Sequence, residues 1–252
     1  MLDRELSNGI LTLRLAHGKA SAMDLELCQA LRTELESVAE SGDTRAVVLT
    51  GTGSIFSAGV DLPRMINAGG DYVQRFIEAL DAVLRALFLF PRPIVAAVNG
   101  HAIAGGAIMA FACDYRLMSS GRIGVPELLV GVPFPPLPLE IVRFAIPRQH
   151  LQAMVYMGRT IEADAALEAG IIDEVVPAEQ LLTRATAIAT QFAAIPAEAF
   201  ALTKRQLRDP FLRDAARAAQ VSTEAIDALW AAPSTYERIR EYLAKTISKR
   251  DK

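Results

Sequence analysis

In "LDRELSNGILTLRLA", Leu11, Leu13 and Leu15 alternate with polar positions behind Asn8-Gly9. A period of two behind Asn-Gly predicts a β-hairpin. Asp24 stands before Leu25, Leu31, Leu35 and Val38, which recur roughly at helical spacing, so a helix capped by an aspartate is expected. "RAVVLTG" is apolar at its centre and predicts a short buried strand, and the glycines and small polar residues of "GTGSIFSAGVDL" predict a loop after it. Apolar residues run all along Asp71 to Phe90, a long helix that Pro91 and Pro93 break. "IVAAVNG" is the next buried strand. The order strand, helix, strand, helix, strand predicts an α/β fold with parallel strands.

From Glu127 the pattern changes. "GVPFPPLPLE" carries four prolines, which excludes a central strand or an ordinary helix and predicts a stiff apolar loop. "EADAALEAGIIDEVVP" predicts a helix, a cap at Gly170, a short strand and a stop at Pro177. Beyond Ala178 the pattern is helical, with Tyr236, Ile239, Tyr242 and Leu243 at helical spacing. No sequence repeat is visible. A boundary near residue 190 divides an α/β core, residues 1–190, from a helical region, residues 191–252.

Composition narrows the picture. With 252 residues, 52% of them hydrophobic and 22% charged, the chain can bury a sizeable core. A net charge of −3 gives no electrostatic case for nucleic acid. Cys28 and Cys113 lie far apart without CxxC spacing and are expected to be buried, reduced thiols. His17, His101 and His150 are scattered and predict no metal site. The stretch "MLDRELSNGI" has early charges and no apolar core, so a signal peptide is not expected. No run reaches the length of a membrane span. A cytoplasmic location is the expectation.

Two fragments resemble catalytic motifs and fall short, and a lone histidine does not make a third. "GTGSIF" begins like GxGxxG, but Phe56 replaces the third glycine and the stretch does not follow the first strand. "IFSAG" has Ile55 where a nucleophile elbow needs glycine, so Ser57 is expected to make local hydrogen bonds. His101 follows the turn signal Asn99-Gly100 and is expected to be solvated or locally bonded. Two loops share a stronger design. "FSAGVDL" and "AIAGGAIMA" each follow a buried strand and offer a small-residue turn into a helix. Unpaired N–H groups at such turns bind anions, and two of them could converge on one developing oxyanion.

"VVLTGTGSIFSAGVDL", "PIVAAVNGHAIAGGAIMAFACDYRLMS", "IGVPELLVG" and "GRTIEADAALEAGIIDEVVP" resemble, in order, the signatures of the crotonase, or enoyl-CoA hydratase/isomerase, superfamily. The resemblance extends from "KASAMD" to "TKRQL" and "YERIREYLAK". It implies a core of repeated ββα units in a spiral, and a helical C-terminal region that builds homotrimers or dimers of trimers. It implies an acyl-CoA thioester as substrate, with coenzyme A as part of that substrate and no separate cofactor. The backbone N–H groups of Val60 and Gly105 would hold the thioester oxygen. Ala20, Ala22, Ser57, Ala58, Asp61 and Leu62 would border coenzyme A, and Phe134 would wall the acyl group. Family members usually carry asparagine where Ser21 stands.

Hydratases of that family use two glutamates around one water. One position corresponds to Ile108 and the other to Glu127, so only Glu127 could carry a proton. Hydration is therefore disfavoured, whereas a one-carboxylate shuttle from C2 to C4 suits a Δ3,Δ2-enoyl-CoA isomerase. A hydratase or thioester hydrolase recruiting Glu140 or His101 is the alternative, as is a family member that binds coenzyme A without turnover. Glu140 is expected to face outward. Phe192, Phe200, Leu202, Phe211, Leu212, Leu229 and Trp230 are expected to supply apolar surface for assembly.

Overall fold

A computed structural model describes residues 1–250; the last two residues of the predicted 191–252 region lie outside the described residues. The hairpin forms as β1 (Leu2–Ser7) and β2 (Ile10–Leu15), joined through Asn8 and Gly9, both at positive φ. Then come α1 (Leu25–Glu40), β3 (Ala46–Thr50), β4 (Ile55–Ser57), α2 (Leu62–Asn67) and α3 (Gly70–Phe88). The middle of the chain supplies β5 (Ile94–Val98), β6 (His101–Ile103), α4 (Gly105–Phe111), β7 (Tyr115–Met118) and β8 (Arg122–Gly124). After a 3-10 turn at Glu127–Val130 follow α5 (Pro136–Ala145), α6 (Arg148–Tyr156), β9 (Thr160–Glu162), α7 (Ala163–Glu168) and β10 (Glu174–Val175). A second 3-10 turn, Ala178–Gln180, leads into α8 (Leu181–Ala193), α9 (Ala197–Trp230) and α10 (Pro233–Arg250).

The strands build two sheets. The larger has the order β1-β2-β3-β5-β7-β10 and is parallel except for the β1–β2 hairpin. The smaller has the order β4-β6-β8-β9, with only β9 antiparallel. Successive pairs β3–β4, β5–β6 and β7–β8 each send one strand to either sheet before the chain turns into a helix. This is the spiral of ββα units. Every residue of β3 and β5 is buried, as central parallel strands covered on both faces require. β1 carries charged, exposed residues at the sheet edge, which discourages edge-to-edge pairing.

The proline-rich stretch departs from expectation. Pro136 and Pro138 lie in the first turn of α5, not in a loop. The N–H groups of a first helical turn have no intrahelical acceptor, so proline loses nothing there.

The expected boundary also moves. Residue 190 falls inside α8, which packs on the larger sheet through Leu181, Ala185, Ile188 and Ala189. The chain leaves that sheet only at Pro196, where α9 begins. α9 is stapled back by buried charges. Lys204 and Arg208 each reach Asp114 at 2.8 Å, and Arg208 also donates to the carbonyls of Ala112 and Cys113.

The C-terminal apolar residues are mostly claimed by the chain itself. Trp230 is buried and Phe211 and Leu212 pack on the core, while Leu202 and Leu229 stay exposed. A second exposed apolar set, Leu128, Leu129, Tyr156 and Met157, lies on the Glu127–Val130 turn and the end of α6. Among the described residues no single helix is long and apolar enough to cross a membrane.

Candidate active site

Three consecutive ββα units meet at one place. β4, β6 and β8 are parallel neighbours, and the chain segments that follow them carry Val60, Gly105 and Glu127 respectively. Sites beyond the carboxyl ends of parallel strands are where such sheets bind ligands. Here a cavity of about 70 Å³ is lined by Val60, Leu62, Ala104, Glu127, Trp230 and Tyr242, among others.

The first turn is zipped to the segment after β2. Ala58 N donates to Ala20 O at 3.0 Å, Met23 N to Gly59 O at 2.7 Å, and Asp61 N to Met23 O at 3.0 Å. Ser57 Oγ donates to Ser21 O and accepts from Gly59 N. Val60 N, between these engaged neighbours, donates to no acceptor among the described residues. Gly105 N is likewise free, at the first position of α4, where helix N–H groups have no intrahelical partner.

The turns carrying these nitrogens touch. Gly59 sits at φ +80°, and a Cβ built on it would lie 2.5 Å from Ile103 O and 3.2 Å from Gly105 N. Gly106 lets α4 approach β4 equally closely, since a Cβ there would fall 2.4 Å from Ser57 O. Ala104 takes the costlier role. It adopts φ +52°, ψ −126° immediately before Gly105, a conformation that L-residues avoid and that clusters at functional turns.

Glu127 opens the 3-10 turn after β8, is 8% exposed, and has an Oε2 with no hydrogen-bond partner. Burial pushes its carboxyl up to about 8, against a smaller lowering by its own backbone N–H. A carboxyl shifted this way can bind or release a proton near neutral pH. Ile108 lies in the first turn of α4, 3% exposed, and offers no proton site.

Other expectations need correction. Ser57 is fully buried, so it braces the first turn and has no surface left for coenzyme A. Phe134 is packed into the core and does not line the cavity. Glu140 is only 4% exposed, not outward-facing; it pairs at 2.5 Å with Arg143 on its own helix, α5, which packs against α9, and it does not line the cavity. His101 is exposed and accepts from Arg122 N at the opposite end of β6 from Ala104. Ala58 and Leu62 do line the cavity, while the Asp61 carboxylate caps α2 through Arg64 N at 3.0 Å. Ala20 and Ala22 are half-buried in the segment paired with this turn.

Sequence reasoning missed the cavity's far wall, Val130, Val132, Trp230 and Tyr242. Trp230 was expected at a subunit surface. A lone tryptophan near the end of a long amphipathic helix was the available signal. Burial raises both cysteine thiols to about 12, which removes them as nucleophiles.

Comparison with known proteins shows the family. A model of the enoyl-CoA hydratase/isomerase family matches residues 5–247. The chain belongs to the enoyl-CoA hydratase/isomerase family. This family, part of the crotonase superfamily, acts on acyl-CoA thioesters. The chain is 31% identical to the rat mitochondrial enoyl-CoA hydratase domain-containing protein 3 across 82% of its own length and 70% of that protein's. It is 25% identical to mouse mitochondrial enoyl-CoA delta isomerase 1, across 99% of its own length and 88% of that protein's. Its fold superposes on human mitochondrial delta3-delta2-enoyl-CoA isomerase with a TM-score of 0.93, at 24% identity and 98% coverage of both chains. The enoyl-CoA hydratase/isomerase fold therefore spans the described chain, C-terminal helices included.

Proposed function

We propose that this enoyl-CoA hydratase/isomerase family member is a Δ3,Δ2-enoyl-CoA isomerase with Glu127 as its acid/base group. One observation carries the reading: among the described residues Glu127 is the only carboxylate lining the cavity, and the residue three positions after Gly105 is Ile108. The ionised carboxylate takes a proton from C2 of a 3-enoyl thioester. The electron pair of the broken C–H bond delocalises through C1 onto the thioester oxygen, which Val60 N–H and Gly105 N–H stabilise. Glu127 then returns the proton at C4, and the double bond settles between C2 and C3. Each backbone donor contributes roughly 3 kcal/mol to such a transition state. Coenzyme A arrives with the substrate, bordering the segments around Ala20, Ala22, Ala58, Asp61 and Leu62.

The assay compares 3-enoyl-CoA isomerisation with 2-enoyl-CoA hydration. Isomerisation should exceed hydration by at least about 10²-fold, the usual worth of a missing acid/base partner. Equal rates would sink the one-carboxylate mechanism. The rate should also depend on pH. The base form of Glu127 grows as pH rises toward its raised pKa of about 8. Below that value kcat/KM should climb close to tenfold per pH unit and then level off. A profile flat from pH 6 to 9 would remove Glu127 as the base.

We also propose a homotrimer or dimer of trimers. The exposed Leu128, Leu129, Tyr156 and Met157 beside the Glu127 turn, with Leu202 and Leu229 on α9, support it, because exposed apolar side chains are what an interface would cover. Light scattering at micromolar concentration should return at least three times the 27.2 kDa chain mass; a monomer refutes it.

A further inference from the structure

The cavity behind Glu127 is small. Its 70 Å³ has room for roughly half a dozen water-sized groups. A larger groove of about 530 Å³ runs between α3, the start of α5 and α9. Two stretches of chain wall both spaces. Along the segment from the Glu127–Val130 turn into the first turn of α5, Val130 and Val132 line the cavity, whereas Pro135, Pro136 and Leu137 line the groove. On α9, Trp230 lines the cavity, while Ile226 and Asp227, one turn earlier on the same helix face, line the groove. The buried Trp230 lines the cavity and not the groove, one turn from the groove-lining Ile226 and Asp227. The ring of Trp230 is pinned there, for its Nε1 donates to Pro133 O at 3.0 Å.

We infer that Trp230 sets the acyl-chain length. Its ring closes the cavity toward the groove, so the protein takes short acyl-CoA thioesters. Without the ring, the cavity opens onto Leu137, Ala215, Ala219 and Ile226, an apolar floor for further methylenes. The rim of Glu78, Asp81 and Asp227 keeps the groove wet until a chain enters it. The inference rests on the acyl-CoA reading of the site.

Calorimetry with butyryl-, hexanoyl- and decanoyl-CoA, which have no double bond to shift, tests it. The wild type should bind decanoyl-CoA no tighter than hexanoyl-CoA. Each methylene newly buried is worth about fourfold in affinity. Trp230→Ala should therefore bind decanoyl-CoA at least about tenfold tighter than the wild type does. Adding Ala219→Phe, which fills the groove, should abolish that gain and leave butyryl-CoA binding unchanged. Should Trp230→Ala fail to fold, the wild-type series and Ala219→Phe alone still decide. Decanoyl-CoA binding well above hexanoyl-CoA in the wild type, weakened by Ala219→Phe, means the groove is already open and overturns the gate. A wild type that binds none of the three thioesters overturns the site reading itself, a result distinct from a flat or rising chain-length series.

Discussion

Glu127→Gln is expected to lower isomerase turnover by about 10²–10⁴-fold while leaving acyl-CoA affinity nearly unchanged. Gln keeps the length and planarity of the side chain and cannot take a proton. The groups that would bind the thioester oxygen, Val60 N–H and Gly105 N–H, are backbone atoms and stay in place. A matching loss of affinity would mean that the carboxylate serves binding; near-full activity would make it structural.

The same substitution has a second signature that does not depend on activity. The Glu127 carboxyl sits at about 8 in the folded chain, against 4.5 for the ordinary value. It binds its proton more tightly when folded, so ionising it opposes folding. The stability it contributes is full below pH 4.5 and is lost progressively until the pH passes about 8. Between pH 6 and 9 the wild type should lose roughly 2–3 kcal/mol from this source, or several degrees of Tm. Glu127→Gln carries no such dependence, so the gap in Tm between variant and wild type should widen in the variant's favour as pH rises. A constant gap from pH 6 to 9 would show that the carboxyl is not shifted. Stability given up at a buried acid is the usual companion of function.

How much of this was legible beforehand follows from element length and periodicity. The hairpin, α1, α3 and the strands β3 and β5 each show enough residues of one pattern to declare themselves. The second sheet does not. β4, β6 and β8 are three residues each, "IFS", "HAI" and "RIG", too short for alternation to be counted. They also sit among glycines, so "GTGSIFSAGVDL" looked like loop throughout. The spiral repeat was therefore invisible as a sequence repeat and entered only through resemblance. The two small-residue turns were legible because free N–H groups need small neighbours. Glu127 was legible as a position, but its environment was not. Its burial depends on Trp230 and Tyr242, more than 100 residues away, brought over the cavity by α9 and α10. Glu140 was misjudged for the same reason: its outward side on α5 is covered by α9, and a local pattern says nothing about a helix that arrives later.

The contact between the two turns is the most fragile part of the site, and a pair of glycine variants should expose it. Gly53 and Gly59 both hold positive φ, +64° and +80°, so alanine at either is strained by about 1–2 kcal/mol. Their surroundings differ. A Cβ on Gly53 meets nothing within 4 Å, whereas one on Gly59 would overlap Ile103 O at 2.5 Å and Ala104 Cβ at 2.8 Å. Neither obstacle is a flexible chain end. Ile103 O belongs to β6, and Ala104 already occupies a strained conformation whose N–H is held by Gly124 O. Gly59→Ala must therefore drive the Val60 turn away from the Gly105 turn. Two donors that served one oxygen would no longer converge, and loss of even one costs about 10²–10³-fold in kcat. Gly59→Ala should fall at least that far and unfold at lower temperature than Gly53→Ala. Gly53→Ala should keep its activity within about threefold, since strain alone leaves the donors where they are. Equal losses in the two variants would assign the defect to backbone strain and separate the Val60–Gly105 contact from the chemistry.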